Sequence, residues 1–234
     1  MAEKPSLLIF DVDGTLTNSA GLTRNAFEKA IEDIYNIPNS SEGIKPYGKT
    51  DQGIFREILI NNGLPTEDFR TQFDNMSQLS AIYLEKGLKA SKLPHLHIGV
   101  RSLLERLLTE DDIYLALGTG NTRINSYIKL DLHSIGGYFP IGGFGCDDED
   151  RTKIIETAYN RATTFYKIDF KRHNTWVIGD TPLDIECGKA INAKTIAVAT
   201  GSYSVEELRS YNPDFVFSTF TDNAQFLSLI RQAT

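Results

Sequence analysis

Cysteine is nearly absent from this chain: only Cys146 and Cys187 occur among 234 residues. They stand far apart and form no metal spacing. Reduced thiols in a cytoplasmic setting are expected, not a disulfide framework. Positive charge is also scarce. Lys and Arg number 24 against 31 Asp and Glu, for a net charge of -7. No basic stripe is present, which argues against nucleic acid and anionic membranes as partners. No apolar run approaches the length needed to cross a bilayer. Met1 to Ser6 lacks the basic-then-apolar pattern of a secretory leader. Of the histidines, only His95-x-His97 has the spacing of half a zinc site, and no cysteine or third histidine is near it. No repeat or low-complexity tract is visible. What remains is a hydrophobic content of 41%. That suffices for one large core plus a smaller inserted domain.

The chain is organised around Leu7-Leu8-Ile9-Phe10-Asp11-Val12-Asp13-Gly14-Thr15. A short, uncharged apolar run predicts a strand buried on both faces, central in a parallel sheet. Ligands bind beyond the carboxyl ends of such strands. Asp11 and Asp13 sit at that end, and Gly14 permits a sharp turn. Two adjacent carboxylates repel each other, and a cation between them relieves this. Oxygen ligands suit Mg²⁺. One carboxylate can attack phosphorus while the other trades a proton with the leaving group. A plain strand-to-turn transition is the alternative, since Asp-Gly is a common turn pair.

From Thr17 to about Pro94 the pattern is helical, with no strand. Leu22 to Tyr35 carries apolar residues at three-to-four spacing. Pro38 to Gly48 reads as loop. A second helix holds Ile54, Phe55, Ile58 and Leu59, and a third runs from about Thr66 to Lys86. An all-helical block interrupting an alternating chain predicts an insertion. From Gly99 strands and helices alternate. The strands are Ile113–Thr119, Tyr138–Gly143, Thr175–Gly179, Thr195–Ala199 and Phe215–Phe217. Helices marked by Val100–Leu108, Ile124–Ile128, Arg151–Tyr166 (inner face to Phe165), the stretch to Ile191, and Asp222–Arg231 separate them. This predicts an α/β fold with a doubly wound parallel sheet.

The strand ends carry further chemistry. Thr119-Gly120-Asn121 offers a hydroxyl and backbone N–H groups to a phosphate oxygen, or is simply a turn. Asp180 lies at the same sheet edge as Asp11 and offers a third acid to a metal. Asp184, one helical turn later, supports the metal or only caps a helix. Arg151 or Lys153 could neutralise a phosphate, the other being a surface residue.

Asp11-x-Asp13-Gly14-Thr15 resembles the first motif of the haloacid dehalogenase superfamily. Thr119 resembles the second, Arg151 the basic third, and Gly179-Asp180-Thr181-x-x-Asp184 the fourth, in the family's order. The helical insert is similar to the four-helix cap of phosphoglycolate phosphatase and beta-phosphoglucomutase relatives. The resemblance implies a Rossmann-like core at residues 1–16 and 97–234 and a helical cap at 17–96. It implies Asp11 as nucleophile and Asp13 as acid and base. Mg²⁺ would be held by Asp11, the Asp13 carbonyl and Asp180. Thr119 and Arg151 would grip the phosphoryl group, helped by Gly120 and Asn121. Gly48-Lys49-Thr50 resembles the cap loop that faces the site, so Lys49 either recognises an anionic substrate or is a surface lysine. Where many relatives carry Lys-Pro before the third-motif helix, this chain is acidic. The expected activity is a Mg²⁺-dependent phosphatase acting on a small phosphorylated metabolite, as a monomer or homodimer. A sugar phosphomutase is the first alternative. Haloacid dehalogenation is disfavoured by Asp13, because that reaction protonates no alkoxide.

Overall fold

The computed structural model describes residues 5–45 and 48–232. Part of the leader reading at Met1 to Ser6, and part of the loop reading at Pro38 to Gly48, fall outside these residues, as do the extreme ends of the expected core. No helix among the described residues is long and apolar enough to cross a membrane.

Strand β1 (Ser6–Phe10) is buried at every residue. Its side chains alternate between two cores, as the period of a strand requires. Leu8 and Phe10 pack with Leu115, Leu117 and Trp176 on one face. Leu7 and Ile9 pack with Ala116, Ile155 and Ala158 on the other. The chain then makes a short strand, β2 (Thr17–Asn18), which pairs antiparallel with β3 (His95–Leu96). These two passages enclose three helices: α1 (Leu22–Tyr35), α2 (Asp51–Asn61) and α3 (Phe69–Ala90). The helices share an apolar cluster that includes Phe27, Ile31, Phe55, Leu59, Phe73 and Met76. Among the described residues, three helices stand where the resemblance suggested four. The β2–β3 pair is a two-residue element, too short for periodicity to reveal.

The remainder alternates: α4 (Val100–Leu107), β4 (Ile113–Thr119), α5 (Arg123–Leu132), β5 (Gly142–Phe144), α6 (Arg151–Tyr166), β6 (Thr175–Gly179), α7 (Pro182–Ala190), β7 (Lys194–Val198), α8 (Val205–Ser210), β8 (Phe215–Phe217) and α9 (Asn223–Gln232). One six-stranded sheet runs β5-β4-β1-β6-β7-β8, and every pairing in it is parallel. β1 therefore sits between β4 and β6, with the register Phe10 opposite Leu117 and Ile178. The carboxyl ends of these three strands lie together, which gathers residues 11, 119 and 180 at one edge.

Three local expectations need correction. The strand expected at Tyr138–Gly143 lies at Gly142–Phe144, and Tyr138 instead ends a single 3-10 turn. Helix α6 packs so tightly here that a Cβ on Gly143 would lie 2.0 Å from the Ile154 carbonyl oxygen. The strand is built on glycine, so apolar patterning misplaces it. Phe165, assigned to the inner face of α6, is 53% exposed and packs edge-on against Tyr166. Helix α8, started by a reciprocal N-terminal cap between Ser204 and Glu207, had no counterpart in the sequence reading.

Candidate active site

Asp11 follows β1, and its backbone N–H donates to the Ile178 carbonyl of β6 at 2.9 Å. The sheet ladder thereby continues one residue further and aims the carboxylate over the sheet edge. Asp11 is 5% exposed and Asp180 is 4% exposed. Gly14 adopts φ +81, and a Cβ there would sit 2.4 Å from an Asp180 carboxylate oxygen. Only glycine lets this turn lie against Asp180. The hydroxyl of Thr15 donates to Asp180 Oδ1 at 3.0 Å. Thr200 donates to the Gly14 carbonyl at 2.6 Å.

Asp11, Asp180 and Asp184 each present a carboxylate oxygen within 4.8 Å of the others. Arg151, at the first turn of α6 and 8% exposed, lies among them. It pairs with Asp11 at 2.9 Å and hydrogen-bonds Asp184. It also donates to the Gly48 carbonyl, in the loop before α2, at 3.0 Å. Lys153 is exposed and pairs with Asp148. Between the two basic candidates, Arg151 is the one at the site.

Asp184 accepts at Oδ2 from the Thr181 N–H at 3.0 Å and the Thr181 hydroxyl at 2.7 Å, while Oδ1 meets Arg151. Both its oxygens are engaged. It caps α7 and orients Arg151. Asp11 and Asp180 keep lone pairs for a metal.

Three buried carboxylates face one guanidinium, an excess of two negative charges when all are ionised. Burial pushes Asp11 up to about 7, against the pull of Arg151, and the neighbouring Asp184 and Asp13 add to the rise. Burial, then Asp11 and Asp184, hold Asp180 well above the ordinary carboxylate range. Burial opposes the charge on Arg151, but Asp184 and Asp11 more than offset it and raise its pKa. With all three carboxylates ionised the group repels itself. A divalent cation with hard oxygen ligands fits both the charge excess and the donor set.

Asp13 is turned away from this cluster. Its Oδ2 accepts from Asn121 Nδ2 at 2.9 Å and from Lys129 Nζ at 2.5 Å. Thr119, the last residue of β4, is 0% exposed. Its hydroxyl oxygen accepts from the Asn121 N–H at 3.3 Å and from Asn121 Nδ2 at 3.0 Å. A cavity of about 460 Å³ opens above the acids, lined by Asp11, Asp13, Lys49, Gly120, Asn121, Arg151 and Asp180 among others. Thr119 is not on that wall; it stands behind Asn121. Lys49 reaches the wall from the helical block and pairs with Glu57 at 2.5 Å, both being more than a third exposed.

Two residues of the site escaped the sequence reading. Asp51 opens α2, is 7% exposed, and accepts at 2.8 Å from the Thr122 N–H. Its own N–H donates to the Gly120 carbonyl at 2.8 Å. The helical block thus docks directly on the loop after β4. Burial pushes the Asp51 carboxyl up to about 6, with Lys129 opposing. The other is Lys129, 2% exposed on α5. The inward face of α5 carries Asn125, Ser126, Lys129 and Leu130. A polar stripe at helical spacing right after Thr119-Gly120-Asn121 was the available signal.

Comparison with known proteins agrees with this architecture. Pyrophosphatase PpaX of Oceanobacillus iheyensis is 24% identical over 222 residues, covering 92% of this chain and 93% of that protein. Phosphoglycolate phosphatase of Aquifex aeolicus is 27% identical over 221 residues, covering 92% and 93%. The crystal structure of a hydrolase from Pseudomonas syringae superposes with a TM-score of 0.70 at 22% identity, over 96% of this chain and 99% of that one. The family model for haloacid dehalogenase-like hydrolases matches residues 8–198, which takes in both halves of the acidic cluster and the helices between. On that match the chain belongs to the haloacid dehalogenase-like hydrolases.

Proposed function

We propose that the protein is a Mg²⁺-dependent phosphatase of a small phosphorylated metabolite, working through an aspartyl-phosphate on Asp11. The observation that carries this reading is the acidic group of Asp11, Asp180 and Asp184 around Arg151, with Asp11, Asp180 and Arg151 lining a cavity. The names of the two relatives, a pyrophosphatase and a phosphoglycolate phosphatase, support phosphoryl chemistry.

Asp11 attacks phosphorus, and the bond to the leaving oxygen breaks with its electron pair on that oxygen. Asp13 supplies the proton this oxygen takes up. Water then attacks phosphorus, Asp13 receives its proton, and the Asp11 carboxylate is released with inorganic phosphate. Arg151 holds a phosphoryl oxygen and offsets the charge that gathers there. Gly120 and Asn121 form the facing wall, and Thr119 fixes Asn121 from behind. Asp11, Asp180 and the Asp13 carbonyl would hold Mg²⁺, which supplies charge neutralisation at the phosphoryl oxygens. The helical block, residues 17–96, acts as the cap, and Lys49 answers a second anionic group on the substrate. That cap closes the cavity from above, through the Asp51 contacts with Gly120 and Thr122.

The test is a panel of phosphorylated metabolites read by released phosphate, including esters with a second anion, phosphoglycolate and pyrophosphate. Activity is expected with Mg²⁺, lost with EDTA and restored by excess Mg²⁺. Substrates with a second anion are expected to show lower KM. Release unaffected by EDTA, or none on the whole panel, contradicts the reading.

A further inference from the structure

Lys129 is the buried cation the mechanism above leaves without a task. Its Nζ lies 2.5 Å from Asp13 Oδ2 and 2.6 Å from Asn121 Oδ1. An ammonium has three donors and no acceptor. Asn121 must therefore turn Oδ1 toward Lys129 and its amide NH₂ the other way. That NH₂ donates to Asp13 Oδ2 at 2.9 Å and to Thr119 Oγ1 at 3.0 Å. Asp13 Oδ2 consequently faces two donors and can only accept. Asp13 Oδ1 is buried and has no hydrogen-bond partner among the described residues. The loop that carries Asn121 is pinned from the other side as well, by the Asp51 contacts to Gly120 and Thr122.

Packing alone does not account for Lys129 being inside. On α5 the apolar Ile124 is 48% exposed, while Lys129 is 2% exposed. The helix is rotated to put its polar face inward, toward Asp13.

We propose that Lys129 is a positioning residue: with Asn121 it holds the Asp13 carboxyl by Oδ2 in the orientation from which Asp13 exchanges a proton with the leaving group. The inference rests on the phosphatase reading. Protonated Asp13 carries the proton that the leaving group needs. When the ester P–O bond breaks, the leaving oxygen keeps the electron pair and takes that proton. When water attacks phosphorus, its proton returns to the Asp13 carboxylate. Lys129 itself gives and takes none.

The test compares two leaving groups. An alkyl phosphate leaves as an alkoxide and needs protonation. The phenolate of p-nitrophenyl phosphate leaves with little help. Lys129→Met keeps the apolar stem and removes the donors. Its kcat/KM with Mg²⁺ is expected to fall about 100-fold on the alkyl ester and only about 3-fold on the aryl ester, the scale of general acid catalysis. Asp13→Asn is expected to give the same split, and adding Lys129→Met to it is expected to cost nothing more on the alkyl ester. Equal losses on both esters, or no loss on either, overturn the proposal. If Lys129→Met fails to fold, Lys129→Gln carries the same comparison. A parent enzyme inactive on both esters refutes the phosphatase reading, and this proposal falls with it. A parent active on both, with equal losses in the variant, refutes the proposal alone.

Discussion

Asp11→Asn is expected to abolish turnover, a loss of roughly 10⁴-fold or more, on the scale of removing a nucleophile. Asparagine keeps the shape of the side chain and its backbone hydrogen bond to Ile178, so the fold should persist. Its stability should even show a gain of predictable sign. Asp11 holds its proton in the folded chain up to about pH 7, against 3.8 for the free group. Between those values the folded state binds a proton that the unfolded state has lost, so stability falls as pH rises. Above that window the ionised Asp11 weighs against the fold unless a cation joins it. Without divalent ions, Asp11→Asn should therefore melt at or above the parent at about pH 8. The difference should shrink as the pH is lowered toward the ordinary carboxylate range. A variant that melts well below the parent at high pH would mean that Arg151 outweighs burial.

Arg151→Met is expected to damage both fold and chemistry. Arg151 is 7% exposed at its side chain and bridges Asp11 and Asp184. Removing it leaves two buried carboxylates without their counter-charge, and breaking such a pair costs about 3–5 kcal/mol. Urea unfolding without Mg²⁺ reads that loss directly. Mg²⁺ should recover part of it, since a divalent ion offsets the charge on Asp11 and Asp180. Arg151→Lys should lose less stability but still lose activity. Its compact ammonium lacks the spread of the planar fork that reaches Asp11, Asp184 and the Gly48 carbonyl together. If Arg151→Met unfolds at the parent's urea concentration, the buried cluster is not held by this ion pair.

The residues easiest to read from sequence are those where one physical signal stands alone. β1 carries no charge and is buried on both faces, so its run of apolar residues announces a central parallel strand. Asp11 and Asp180 end two neighbouring strands, so the sheet itself brings them together. The family motifs added Arg151, and the structure decides between it and Lys153 by burial. Asn192, just past the end of α7, sits at φ +58, in the left-handed region that asparagine tolerates.

Lys129 and Asp51 were missed for a common reason. Each is a charged residue on a helix, and charged helical positions ordinarily face solvent. Here their partners lie across the tertiary structure: Asp13 for Lys129, and Thr122 for Asp51. Periodicity also misled on α5, where Ile124 faces out and Asn125, Ser126 and Lys129 face in. Thr119 shows the converse. Its place at a strand end was read correctly, yet its hydroxyl is used on Asn121, behind the cavity wall. Strand position is encoded locally; the direction in which a polar atom finds its partner is not.

In the proposed reaction phosphorus passes through Asp11. The direct measurement is to quench the enzyme during turnover of a phosphorylated substrate with Mg²⁺, reduce it with borohydride and sequence the peptides by mass spectrometry. An acyl phosphate at Asp11 would be reduced to homoserine at that position, only when substrate and Mg²⁺ are both present. Phosphate release with an unmodified Asp11, or with reduction at another carboxylate, would contradict it.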